Sequence, residues 1–356
     1  MEQLFKIRTV SINEAYIQFM KKNLLAIAFC LSVFMGFSQQ SDSLHKIAKQ
    51  FMRNGDYPNA IIVLNNALKL NPSDLEMQKD LTFTYYLQRN YSASVESGRK
   101  LIDRTDADEQ CYQILGMAYK AIDENKQADK MYKQGIKKFP SSGELYSEYG
   151  EMLFANRDAE AIRFWEKGIE VDPSYSSNYY NACKYYYFTY DKVWSLIYGE
   201  IFINLESYSR RTPEIKLLLV DGYKKLFTDL KSPKNQVNKN LFASAYLSVM
   251  TDLAPTIAVG VTPESINILR SKFILEWFEK YGDKYPFRLF EYQRQLLKEG
   301  MFDAYDQWAF GASMSLAGFQ TWTSQHLDDY NRFMNFQKGR VFKVPAGQNY
   351  RNLNSK

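Results

Sequence analysis

The side chains that could do chemistry are few and scattered. The chain has two histidines, His45 and His326, far apart in the sequence. The nearest thing to a reactive grouping is His326 with Asp328 and Asp329, because on a helix Asp329 lies within reach of the His326 ring and could orient it. A solvated helix face accounts for the same residues, and no catalytic residue is assigned. No His/Cys cluster has the spacing of metal ligands, which argues against zinc. Neither a glycine-rich phosphate loop nor a Gly-x-Ser-x-Gly elbow occurs, so no cofactor is expected.

The elements that would position any site must therefore carry the reading. At 356 residues the chain exceeds one compact domain and can bury a sizeable core. With 27 Tyr and 24 Phe against 24% charged residues, it is too apolar for a disordered chain. The net charge is only +5, and Lys6, Arg8, Lys21 and Lys22 near the start supply part of it. A polyanionic partner is not indicated, and nucleic acid is discounted.

From Ser41 to about Glu206 one pattern recurs every 34 residues, with starts at Ser41, Leu75, Glu109, Gly143 and Tyr175. Small residues at the eighth position (Ala48, Gly116, Gly150, Ala182) let two helices approach closely, with large residues filling the space beside them. Gly55-Asp56-Tyr57 supplies a turn, and Ala60, Ala128 and Ala161 are the small residues of the following helices. Pro72, Pro140 and Pro173 stop each second helix, since proline lacks the amide and clashes with the preceding turn. The second repeat has Thr82 and Gly98 at unusual places, the fourth has lost a residue in its turn, and Trp194 stands where the fifth should have a small residue.

These offsets resemble the tetratricopeptide (TPR) helix–turn–helix repeat. The resemblance implies an all-α fold: a right-handed superhelical solenoid of about five repeats over residues 41–206. It implies too that the first helices line an inner groove for a protein or peptide segment. On that analogy Lys49, Arg53, Phe83, Tyr86, Met117, Lys120, Phe154, Tyr179 and Tyr186 face the groove, an aromatic floor with scattered charge. His45, Glu76 and Lys79 lie on the same face. The pair His45 and Lys49 departs from the lysine/asparagine clamp that some TPR proteins use for a C-terminal carboxylate, so that function is not supported. Within the cluster Tyr175, Tyr179, Tyr180, Tyr185, Tyr186, Tyr187 and Tyr190, alternate faces of one helix cannot all serve one ligand, which favours packing. Cys111 and Cys183 fall two repeats apart, too far for a disulfide, and read as free, packed thiols.

The start of the chain carries a second signal. Met20-Lys21-Lys22-Asn23 opens a basic segment, and an apolar run from Leu24 to Phe37 follows. Small residues at Gly36 and Ser38 predict a secretory signal peptide cleaved before Gln39, with residues 1–19 as an upstream extension of a start at Met20. The run is short for a bilayer span, and a retained N-terminal anchor is the alternative. The segment resembles signals of Gram-negative bacteria of the Bacteroidetes type. Cys30 sits inside the run without a lipobox, which argues against a lipid anchor.

Beyond Ser207 the period fades but helices continue. Thr212-Pro213-Glu214 starts a helix to about Leu230, followed by a polar linker at Ser232-Pro233-Lys234-Asn235. Ala243, Leu247, Met250 and Pro255 reproduce second-helix offsets and suggest a diverged sixth repeat. Further helices are expected from Thr262 and over Pro286–Glu299, Phe302–Leu316 and Phe319–Gln337, then an extended tail from Arg340. Residues 207–356 should cap the open end of the array and cover its tyrosine-rich inner face at the fifth repeat. The function expected is a non-enzymatic scaffold of the cell envelope, periplasmic or secreted, with no membrane span after cleavage. The alternative is a glycan- or nutrient-binding accessory of an outer-membrane system.

Overall fold

Turn geometry repeats along the chain with the sequence period. In the computed structural model, which describes residues 39–230 and 240–352, Gly55, Arg89, Asp123 and Arg157 all have positive φ, each 34 positions after the last. Each follows a first helix and reverses the chain into a second. The stretch expected to be a signal peptide and the expected linker at Ser232–Asn235 lie outside the described residues. Contacts divide the chain into two compact units, Met1–Met131 and Tyr132–Lys356.

The N-terminal unit holds α1 (residues 39–53), α2 (Tyr57–Leu70), α3 (Leu75–Leu87), α4 (Tyr91–Ile102) and α5 (Glu109–Ala121), and it ends within α6 (Asn125–Lys138). The side chains of Asp56, Asp74, Asn90 and Asp108 each accept the amide three residues on, which gives the opening turns of α2 to α5 a partner. Ala48, Leu64, Ala67 and Met77 form a core beneath Leu44, Met52 and Leu81. Thr82, unusual by its sequence, is buried at the eighth position, and Ser94 Oγ donates to its carbonyl at 3.0 Å. A hydroxyl thus satisfies a backbone oxygen where the first, third and fourth repeats place the methyls of Ala60, Ala128 and Ala161. The ends of α2, α6 and α8 (Ala161–Val171) fall two residues before Pro72, Pro140 and Pro173, as the proline argument requires.

The C-terminal unit continues with α7 (Gly143–Ala155), α8, α9 (Ser176–Tyr187) and α10 (Lys192–Leu205). A Cβ on Gly150 would come 2.4 Å from Trp165 Nε1, so the helix pair α7–α8 closes only over a glycine. The first helix of the fifth repeat begins at Ser176, one residue after the Tyr175 start read from the sequence. Ser195 Oγ donates to the Cys183 carbonyl at 3.0 Å, the same twelve-residue link that Ser94 makes to Thr82. The small residue at the second helix is therefore Ser195, while Trp194 is buried against Phe242. The repeat is regular where Trp194 had marked it as degenerate.

Next comes α11 (Thr212–Asp229), which stacks on α9 in first-helix fashion: Tyr180 OH donates to Glu214 at 2.5 Å, 34 residues away. Tyr187 OH bonds Asp221 across the same 34-residue interval. Leu217 stands on α11 where Cys183 stands on α9, and it is 56% exposed. Among the described residues no second helix covers it. The predicted sixth hairpin is thus corrected: α12 (Leu241–Asp252) lies against α10 and α13 (Pro263–Lys280), and meets α11 through the Tyr223 and Tyr246 hydroxyls.

The remaining helices are α14 (Arg288–Lys298), α15 (Phe302–Asp306), a π-helical turn Gln307–Gly311, α16 (Ala312–Met314), α17 (Leu316–Gln325) and α18 (Leu327–Lys338), and a tail follows. The expected single helix over 319–337 breaks at His326, which caps α17. Every residue of α10 from Lys192 to Asn204 is buried, because α9 and α11 cover one side and the C-terminal helices the other. At its centre Glu200 accepts Gln293 Nε2 at 2.6 Å, Tyr305 OH at 2.7 Å and the Arg270 guanidinium. Arg270 Nε also lies 3.2 Å from Asp306. The C-terminal helices are thus fastened to a second helix of the array. Among the described residues no helix is long and apolar enough to cross a membrane.

Candidate functional site: the first-helix face

The N-terminal unit presents α1, α3 and α5 as its first helices. On α1, Lys49 Nζ lies 3.5 Å from Asp80 Oδ2 of α3, which also bonds His45 Nε2 at 2.6 Å. Lys49 and Arg53 are exposed, one helical turn apart. On α3 the rings of Phe83 and Tyr86 stack at 5.9 Å and 10°, and Tyr86 meets Tyr91 at 5.7 Å. Both residues are half-buried. Met117 and Lys120 are half-buried on α5.

Lys79, expected on this face, is buried instead. Its Nζ bonds Asp108 at 2.5 Å and Glu76 at 2.6 Å. Burial works against its charge, but the two carboxylates outweigh it and hold the ammonium above the ordinary lysine value. Lys79 therefore fixes the α3–α5 spacing through the cap of α5 and is lost as a ligand group.

In the C-terminal unit the expected residues divide. Phe154 is 53% exposed, with Trp165 at 5.7 Å and Tyr185 at 6.4 Å. Tyr179 and Tyr186 are 1% and 4% exposed, which corrects their placing on the groove surface. Tyr179 packs edge-on to Tyr198 and donates to the Pro173 carbonyl at 3.2 Å. Tyr186 donates to Glu166 at 2.6 Å and receives Arg351 Nε of the tail at 2.8 Å. Burial pushes the Glu166 carboxyl up, and Arg351 at 3.2 Å offsets part of that. The chain's own tail thus occupies this position.

The His326 grouping also changes. His326 stacks on Trp322 at 4.6 Å and its Nδ1 faces the Trp322 carbonyl, while Asp329 pairs with Arg332 at 3.3 Å. Cys111 and Cys183 are buried free thiols, and burial pushes both up to about 12. Asp80 and Tyr91 belong to the face but were missed by sequence reasoning. Asp80 could have been found from its 35-residue interval to His45.

Antiparallel helix pairs, recurring at 34 residues with helix-to-helix bonds at the same interval, define a TPR-type helical repeat fold. No family model matches the chain. A curated relative, the small glutamine-rich tetratricopeptide repeat-containing protein 2 of Mycosarcoma maydis, is 32% identical over 87 residues, 24% of this chain and 25% of that protein. The chain thus spans about a quarter of that relative's length. Among solved structures, MamA is similar at 23% identity and a TM-score of 0.37 over 45% of this chain and 95% of that one. YrrB, described as a TPR protein with an unusual peptide-binding site, is similar at 17% and 0.34 over 49% and 90%. The C-terminal part of a TPR repeat-containing protein from Cytophaga hutchinsonii is similar at 13% and 0.41 over 76% and 95%. At these TM-scores no assignment rests on them, and the repeat is carried by the chain's own spacing.

Proposed function

We propose that this chain is a non-enzymatic scaffold of the cell envelope, exported by a cleaved signal peptide, that holds a partner's peptide segment on the first-helix face of its N-terminal unit. The observation that carries the reading is the stacked Phe83–Tyr86 pair on α3, with Lys49 and Arg53 exposed on the neighbouring α1. Aromatic rings supply contact area at low entropic cost, and cations favour an acidic group beside the anchored apolar one. The segment that suits the face is an extended or helical peptide with an apolar anchor and a nearby acid.

The test is a pull-down from the envelope fraction, comparing the wild type with Phe83→Ala, Tyr86→Ala and Lys120→Ala combined. Loss of a partner is expected, and an unchanged partner set would overturn groove binding. N-terminal sequencing of the exported protein tests the localisation: it should begin at Gln39, and a start upstream would sink cleavage. Glycan binding that the same substitutions abolish would replace the protein partner with a sugar.

A further inference from the structure

The tail returns to the fifth repeat as an irregular segment. From Arg340 to Asn349 it forms neither helix nor strand, and Lys343, Pro345, Ala346 and Gly347 are exposed. The next stretch is gripped at four consecutive residues, all within the C-terminal unit. The Arg288 amide donates to Gln348 Oε1 at 2.7 Å, and Asn349 Nδ2 donates to the Glu166 carbonyl at 3.3 Å. The Tyr350 ring stacks on Phe242 at 4.8 Å and 13°, and its hydroxyl donates to the Pro286 carbonyl at 2.7 Å. Arg351 Nε donates to Tyr186 OH at 2.8 Å and lies 3.2 Å from Glu166 Oε1. Its guanidinium centre is 5.5 Å from the Tyr186 ring centre and 5.8 Å from that of Trp194.

The walls that hold these residues also pack on one another. Trp194 of α10 stacks on Phe242 of α12 at 5.8 Å, and Phe242 stacks on Phe290 of α14 at 6.2 Å. Tyr186 OH donates to Glu166 at 2.6 Å and so positions the carboxylate from within the array. Asn240 is 1% exposed, and its Oδ1 is fixed by the Ala243 amide at 2.9 Å. Its Nδ2 then donates to the Tyr350 carbonyl at 2.9 Å and to the Arg351 carbonyl at 2.8 Å.

Those two bonds read main chain, which any extended peptide carries, while Phe242 and Glu166 choose the side chains. A carboxylate enclosed by aromatic rings is costly without a cation. A flat guanidinium suits the place better than an ammonium, because it can bond the acid and lie against the rings together. Main-chain and side-chain contacts at successive residues, reached by an exposed arm, are the pattern of a bound peptide.

We propose that this groove is a receptor for an extended peptide carrying an aromatic residue followed directly by arginine, and that the chain's own Gln348–Arg351 holds it closed until a partner's peptide takes that place. The short arm keeps the tail at an effective concentration on the order of millimolar, so the partner must displace it rather than enter an empty site. The groove belongs to the C-terminal unit, and the inference is independent of the N-terminal face.

The experiment is fluorescence anisotropy with a labelled peptide copying residues 344–352, its ends blocked, titrated with the full chain. Arg351→Ala, which loosens the tail, should bind the peptide at least tenfold more tightly than the wild type does. The same peptide with alanine in place of its arginine should bind neither protein, and lysine there should cost severalfold. Adding Glu166→Gln to Arg351→Ala should weaken binding at least tenfold. Should Arg351→Ala fail to fold, a protease site inserted between the exposed Ala346 and Gly347 and cut after folding serves instead. The labelled peptide should then exchange into the cut chain and not into the uncut one. Equal affinity for the wild type and the loosened or cut chain, no binding to the loosened or cut chain, or binding indifferent to the peptide's arginine would overturn the proposal.

Discussion

Tyr305 OH donates to Glu200 Oε1 at 2.7 Å across 105 residues of sequence. Glu200 belongs to a second helix of the repeat array and Tyr305 to the cap, so one carboxylate ties the two together. The Arg270 guanidinium, 3% exposed, joins the same oxygen.

Glu200→Ala should leave Arg270 with Asp306 alone and destabilise the C-terminal unit by about 3–5 kcal/mol. All five tryptophans, Trp165, Trp194, Trp277, Trp308 and Trp322, lie in that unit. Tryptophan fluorescence in denaturant therefore reads its unfolding alone. A wild-type midpoint would mean the cluster contributes nothing net.

The turns offer a paired test. Arg157 has φ 60° and is exposed, whereas Gly55 holds the equivalent place with φ 76°. A left-handed backbone strains any residue with a Cβ, so Arg157→Gly should stabilise by up to about 1 kcal/mol, and Gly55→Ala should destabilise by about 1 kcal/mol. Opposite signs in thermal melts are the expected outcome.

Lys216 predicts a pH dependence. Its Nζ donates to the Trp308 carbonyl at 2.5 Å and lies 3.7 Å from the Trp308 ring centre. Burial nevertheless pulls it down from 10.5 to about 7. Below about 7 the ammonium is charged folded and unfolded, and its burial cost is fully present. Between there and 10.5 the unfolded chain holds more protons, so stability rises with pH and then levels off. The wild type should gain thermal stability relative to Lys216→Met from pH 7 to 10, and a constant difference would refute the assignment.

The thiols report the two units separately. Cys111 lies in the N-terminal unit and Cys183 in the C-terminal one, both buried and pushed up to about 12. Iodoacetamide at pH 8 should leave both unmodified in the native protein. In rising denaturant each should react when its own unit opens, as followed by peptide mapping. Modification of either without denaturant would contradict its burial.

By itself the sequence determined the repeat. Small residues, turn positions and prolines act within a few residues of where they stand, so Pro72, Pro140 and Pro173 mark helix ends locally. It also placed Phe83 beside Tyr86 and Lys49 beside Arg53, because one-turn spacing within a helix follows from helix geometry alone. Tertiary structure decided the rest. Whether a tyrosine is floor or core depends on what covers it, and Tyr186 is covered by Arg351, 165 residues away. The fifth register turned on the Ser195–Cys183 bond, since Ala182 and Cys183 are equally small by type. That Leu217 of α11 is left exposed, and that Glu200 gathers Tyr305 and Arg270, are facts about neighbours brought in by the folding of distant helices. No local spacing encodes them, because burial and charge pairing belong to the assembled chain.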